Sequence, residues 1–360
     1  MTELTNSGRR LELDLVKGLA IICMIICHTV GIMGEVHDHV GYIVSQEILG
    51  GPIAAPMFMI CMGIGLNYSR RNTPKGIIRR GVGLLLLGYI LNILRAGLPI
   101  VVGLVMGMKE LLADTTVLGL MIVDILQFAG LALIFIGVCF KLELKGWQMA
   151  AIAIVCSLIG PLCCGYSTGN DAVDALLGLF IGAGPDTEAD CLSAFPFMNW
   201  IIFPVFGVLA GRYLIRCDNK ERMYRRVLAV TLPITIFYCW LVWKKGFCPL
   251  SHIYYWPSLW ESFFFICLDL LLISVGWQLC KVLPRWIMRP LESLSRNITT
   301  VYCISWIIIC WVGISIFWGL EAEPLNPWLA YLPGIAIIVV SYYLALLWNA
   351  SKIGRFFKSN

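Results

Sequence analysis

The feature that most constrains this chain is a repeat of length: blocks of about twenty apolar residues, separated by short polar stretches, recur from end to end. A helix of that length covers the ~30 Å hydrocarbon core of a bilayer. Ten such blocks are read, at 12–33, 53–69, 79–99, 118–140, 147–164, 195–214, 226–243, 259–280, 298–318 and 328–348. The breaks carry turn chemistry, as in "RRNTPKG", "CCGYSTGN", "CDNKE", "KKGFCPLSH" and "EAEPLNP". With 59% hydrophobic and 14% charged residues, a soluble domain would have too little polar surface. The expectation is an all-α polytopic membrane protein, one transmembrane domain over residues 1–360, with no sizeable soluble domain. The first block is too long for a cleaved signal, and no small-residue cleavage site follows it.

Charge sets the expected topology. With ten spans and the N-terminus inside, the inner segments collect most of the 27 Lys and Arg, while the outer loops hold acids such as Asp186, Glu188, Asp190, Glu321 and Glu323. Both termini are then cytoplasmic. The stretch "DAVDALLGLFIGAG" at 171–184 is the exception to the twenty-residue rule. As an eleventh span it would invert every later segment, so it is expected as a short helix on the outer surface. The net charge of +5 reads as positive-inside bias, helped by anionic lipid, and calls for no nucleic acid. The expected location is the cell membrane. Of the fifteen cysteines most sit in spans, where the thiol acts as a small apolar group. Cys163, Cys164, Cys191 and Cys248 fall on the outer side and could pair, on no stronger signal than that shared side.

Ionisable residues inside spans are the candidates for chemistry. The first block, "LDLVKGLAIICMIICHTVGIMG", carries Asp14, Lys17 and His28. Lys17 and His28 are eleven residues apart, three turns, so they share a face and stand ~16 Å apart along the axis. Lys17 has two readings, snorkelling to the inner headgroups with Asp14 as its partner, or binding an anion. His28 has a binding role or a structural hydrogen bond to a neighbouring helix. All four histidines fall on the outer side: His28, then His37 and His39 in "GEVHDHVGY", and His252, which is read as a solvated turn. Histidine gains and loses protons near neutral pH. Two residues of "HDH" in one loop are too few for a metal site, and no metal is expected. Asn92, Arg95, Asp124, Gln127 and Asn199 fall at the same level, each alone explicable as helix packing, together suggesting a polar pocket that opens outward. Asp269 and Glu261 are buried acids without an assigned partner.

These residues resemble a family. "RRLELDLVKGLAIICMIICH" is similar to the first span of the integral-membrane acyltransferases, whose pattern is Arg-x-x-x-Asp-x-x-Arg-Gly-x-Ala followed by His or Asn eleven residues after the second Arg. Four further stretches fit in order: "PMFMICMGIGLNYSRR", "DILQFAGLALIF", "FPFMNWIIFPVFGVLAGRYL" and "LSRNITTVYCISW". The nearer branch is the heparan-α-glucosaminide N-acetyltransferase-like one, with the acyltransferase-3 family more distant. The resemblance implies transfer of an acyl group, acetyl above all, from cytoplasmic acyl-CoA to an amine or hydroxyl on a sugar or glycan across the membrane. It makes His28 the first-span position, His39 the loop histidine with His37 its competitor, and Asn92 an asparagine after the third span. Lys17 stands where Arg is usual and loses a bidentate fork. Ser305 stands where many members carry a late His.

The chemistry suits the residues. A histidine can take the proton of the acceptor, worth about 10²–10⁴-fold, or carry the acyl group itself. Asp38 or Asp124 can orient the imidazole, with Asp14 also among the candidate acids. Asn92, Gln127 or Arg95 can stabilise the oxyanion. Arg10, Lys17, Arg70, Arg71, Arg79 and Arg80 form the basic edge that acyl-CoA phosphates would meet, against the plainer reading that they serve topology. A homodimer is allowed for. The rival from another class is a proton-coupled secondary transporter using buried Asp and His, against which stand the missing inverted repeat and matched broken helices. A membrane sensor is the third reading and lacks a signalling domain.

Overall fold

The computed structural model describes residues 10–35, 39–69, 73–105, 107, 120–183, 193–245, 254–313, 323–351 and 354. Among them the secondary structure is helical, with isolated bridges and no strands. Eight helices are long and apolar enough to cross a bilayer: α1 (Leu11–Met33), α2 (Val40–Tyr68), α3 (Pro74–Val105), α5 (Gly146–Cys163), α7 (Phe197–Arg216), α8 (Lys220–Lys244), α9 (Leu259–Val282) and α12 (Pro327–Ala350). A ninth arises if α10 (Arg285–Arg296) and α11 (Ile298–Gly313), bent by 80°, count as one broken span. The shorter apolar helix α4 (Ile125–Lys141) corresponds to the remaining block. The all-α polytopic expectation holds, and each of the ten apolar blocks contains a helix.

Two boundaries differ from the sequence reading for local reasons. In the block expected at 118–140, helix α4 begins at Ile125, after a non-helical step at 122–124, because Asp124 is an N-cap in extended conformation: its side chain accepts from Ile125 N, and Gln127 reaches back to the Asp124 N–H in a capping box. The preceding Val123 is held as a bridge opposite Ser193. The second span starts earlier than expected, since Val40–Ile43 is already helical and Val44–Gly50 continues as a π-helix before a turn at 51–54. The 171–184 stretch forms only α6 (Asp171–Leu177), whose seven residues reach ~10 Å and cannot cross a bilayer.

Contacts divide the chain into two compact units, one made of Met1–Met57 with Leu272–Asn360, the other of Phe58–Leu271. In the first, α1 is the central helix, packed by α10, α11, α12 and the π-helical start of α2. In the second, α3 and α4 make the most extensive pair. Their approach depends on Gly81 and Gly130: a Cβ at Gly81 would stand 2.6 Å from the Gly130 carbonyl oxygen. Small residues allow such backbone proximity, which is how helices associate where water supplies no driving force.

Candidate functional site

The first unit places polar groups at both ends of α1. At its start, Asp14 is buried; it accepts a hydrogen bond from Ser295 Oγ at 2.6 Å and pairs with Lys17 Nζ at 3.4 Å. Arg10 lies 4.0 Å from the buried Glu12. The i,i+3 partnership of Asp14 and Lys17 is thus present. Ser295, from α10, is a partner that spacing along α1 could not reveal.

At the other end, the half-buried His28 ring lies on the indole of Trp306 in α11, with centroids 4.2 Å apart and planes at 36°. A flat aromatic neighbour fixes the imidazole plane, and such contacts add about 0.5–1.5 kcal/mol. The preceding residue is clamped too. Gln46 Nε2 donates to the Cys27 carbonyl at 2.9 Å and Cys27 Sγ donates to Gln46 Oε1 at 3.2 Å. Gln46 stands in the π-helical turn, a backbone irregularity often found beside functional groups. Ser305 turns inward on its own helix, donating to Tyr302 O at 2.9 Å.

His39 is the N-cap of α2. Its Nδ1 accepts from the Gly41 N–H at 3.1 Å. A backbone amide can only donate, so Nδ1 carries the lone pair and the neutral ring keeps its proton on Nε2. That Nε2 faces Asn326 Nδ2 at 3.5 Å. The amide of Asn326 is itself oriented, because its oxygen accepts from the Trp328 N–H at 3.0 Å as the cap of α12. Two N–H donors therefore point at one another, and among the described residues neither is given an oxygen acceptor. The loops that hold them are stapled by Glu35 N donating to Leu325 O at 2.8 Å, Leu325 N donating to Met33 O at 2.9 Å and Tyr331 OH donating to Gly41 O at 3.1 Å. Asn326, Trp306 and Gln46 carry no assigned role in the sequence reading; Trp306 closes the quoted "LSRNITTVYCISW" and Asn326 lies in the turn "EAEPLNP".

The second unit gathers Asn92, Arg95, Asp124 and Gln127, as expected from their level, into one buried network. Arg95 Nη1 meets Asp124 Oδ2 at 2.6 Å and Arg95 Nη2 donates to Asn92 Oδ1 at 3.0 Å. Asn92 Nδ2 donates to Leu120 O at 3.1 Å and Ile122 O at 2.9 Å. Arg95 sits in a second π-helical turn, Ile93–Gly97. The network ties the end of α3 to the extended backbone that starts α4.

Asn199, fully buried at the start of α7, donates to Pro257 O at 3.4 Å and lies against Cys164 Sγ. Asp269 in α9 is fully buried and neither carboxylate oxygen has a hydrogen-bond partner among the described residues. Arg79 and Arg80 are exposed on the early turns of α3. Asp174, within α6, accepts from the loop before that helix: from Ser167 Oγ at 2.6 Å, Thr168 Oγ1 at 2.6 Å and Thr168 N at 2.8 Å. These hydrogen bonds, the Ser167 hydroxyl first, hold its carboxyl below the usual carboxylate range. His37, Asp38, Arg70, Arg71, Cys191, Cys248 and His252 lie outside the described residues. Among the described residues, no group of His, Cys, Asp and Glu has the makings of a metal site.

A helical bundle with ionisable groups at both ends of a membrane-length helix is the frame of a membrane enzyme or carrier, and comparison decides between them. The family model for the acyltransferase domain of the acyltransferase-3 type matches residues 10–347, nearly the whole chain and both units. The chain belongs to the acyltransferase-3 family, a multi-pass membrane acyltransferase. No curated protein matches it.

Proposed function

We propose that the protein moves an acyl group, acetyl in the first instance, from cytoplasmic acyl-CoA to an amine or hydroxyl of a sugar or glycan on the outer face of the cell membrane. The observation that carries this reading is α1 itself: Lys17 and Asp14 at one end, and His28 packed at a tilt against Trp306 at the other. In this reading His28 is the base that takes the acceptor proton, or the nucleophile that carries the acyl group. His39 contributes differently from the sequence expectation. With its Nδ1 lone pair engaged by Gly41, it acts through Nε2–H, together with Asn326 Nδ2, as a donor to the oxyanion of the tetrahedral intermediate. Asn92, Arg95, Asp124 and Gln127 serve as scaffold, since they satisfy one another and adjacent backbone. Arg10 and Lys17, at the start of α1, are the basic groups this reading gives to the acyl-CoA phosphates. The branch resembling heparan-α-glucosaminide N-acetyltransferase favours an amino sugar as acceptor.

The proton-coupled transporter keeps one specific observation in its favour, the buried and unpartnered Asp269. Purified protein in proteoliposomes separates the two. Acetyl-CoA consumption with release of free CoA, together with acetylated surface glycans that disappear from cells lacking the gene, is the expected result. Asn326→Ala lowers the rate about 10–10²-fold if it is an oxyanion donor. Proton-driven solute uptake without acetyl-CoA consumption contradicts the reading.

A further inference from the structure

The short helix α10 is two-sided, one face buried and the other exposed. One face, Met288, Leu291, Leu294 and Ser295, is buried. It seats on α1, where the Leu291 carbonyl comes so near Gly18 that a Cβ there would be 2.7 Å away, and where Ser295 holds Asp14. The other face carries Arg285, Trp286 and Arg289, all exposed, with Trp286 75% exposed and the nearby Val282 75% exposed. Arg285 and Arg289 are one turn apart and share a side. Arg296, further along that side, is engaged by Glu292 at 3.4 Å, and Lys281 Nζ donates to Gln278 Oε1 at 2.9 Å. Neither Arg285 nor Arg289 has a carboxylate partner among the described residues.

We propose that this face is a binding site for the headgroups of anionic phospholipids. The 80° bend between α10 and α11 gives the geometry. With α11 upright in the bilayer, α10 lies near the plane of the interface, where a basic amphipathic helix rests. An indole belongs at headgroup level, apolar body inward and N–H outward, which suits Trp286 beside the apolar Val282. Guanidinium forks one turn apart match phosphate oxygens, and two uncompensated charges suit an anionic leaflet. A soluble phosphate donor would explain the arginines but not the exposed Trp and Val flanking them. The site holds α10, and through it Asp14 and the start of α1, against the membrane. It rests on the membrane-spanning fold and not on the acyl-transfer reading, so either can fail alone.

Native mass spectrometry of the full chain in mild detergent tests it, with phosphatidylglycerol and phosphatidylcholine of identical chains as probes. Wild type retains phosphatidylglycerol in preference to phosphatidylcholine. Each of Arg285→Gln and Arg289→Gln weakens phosphatidylglycerol retention about fivefold, and the double variant roughly 25-fold, leaving phosphatidylcholine unchanged. Size-exclusion profiles confirm folding, and the single variants decide the matter if the double one aggregates. Equal retention of both lipids by wild type, or undiminished phosphatidylglycerol on the folded variants, overturns the proposal. Displacement of the lipid by acetyl-CoA, lost in the same variants, overturns it too and gives the arginines to the donor.

Discussion

The two polar clusters, one in each unit, use their hydrogen-bonding capacity in opposite ways. Around Arg95 the side chains face one another and the backbone of 120–125: a buried ion pair, an asparagine spanning two carbonyls, a capping box. Around His39 the backbone consumes Nδ1 of the imidazole and the oxygen of Asn326, and leaves two nitrogen donors facing each other. The lesson is that burial and polarity do not by themselves mark a site. A closed network resists change, whereas a set of oriented groups with an unmet requirement has something to offer a substrate. We therefore assign stability to the first cluster and chemistry to the second.

Substitutions can break that division. The largest effect is expected at His28. His28→Ala should lower turnover about 10²–10⁴-fold, the usual worth of a positioned base, while the loss of the stack on Trp306 costs only about 1 kcal/mol of stability. Steady-state rates beside thermal unfolding of the same preparation check this, and a stable variant with near wild-type turnover would dissolve the contrast. Arg95→Ala should do the reverse. Leaving Asp124 buried without its partner costs about 3–5 kcal/mol, seen as a lower unfolding midpoint, and the paired Arg95→Met, Asp124→Asn variant should recover much of it because asparagine still caps α4. Full stability in Arg95→Ala with a collapse of turnover alone would move Arg95 into the chemistry.

The smallest effect concerns the loop that caps α6. The hydroxyls of Ser167 and Thr168 favour the ionised Asp174, so its carboxyl is depressed in the folded state. A depressed acid stabilises above its unfolded pKa, near 3.9, and that contribution is lost as pH falls through the lower folded value. The protection of residues 167–177 against hydrogen exchange, taken relative to the intrinsic rate at each pH, should therefore fall below about pH 4. Thr168→Val should lower that protection at neutral pH and flatten its pH dependence. Protection unchanged between pH 3 and pH 6 would show that the depressed acid does not hold this loop.

What the sequence revealed follows from the range of each interaction. Each of the ten apolar blocks holds a helix, because membrane length is a local property of the chain. Asp14 and Lys17 were legible as a pair three residues apart. The gathering of Asn92, Arg95, Asp124 and Gln127 was legible as a shared level, but not as a self-satisfying network, since Arg95 and Asp124 are 29 residues apart and meet through a π-helical turn that composition does not announce. Trp306 over His28, Ser295 on Asp14 and Asn326 against His39 join elements some 280 residues apart. The environment of His39 was not legible either, because its spacing from His28 says nothing about which ring nitrogen the Gly41 amide occupies.

The central claim is that donor and acceptor are used from opposite ends of α1, and sealed proteoliposomes of known orientation test it most directly. Acyl-CoA should support reaction only when supplied on the side carrying Lys17, and acceptor only on the side carrying His39. Activity with both substrates confined to the Lys17 side would contradict transfer across the membrane and leave His28 without the part assigned to it.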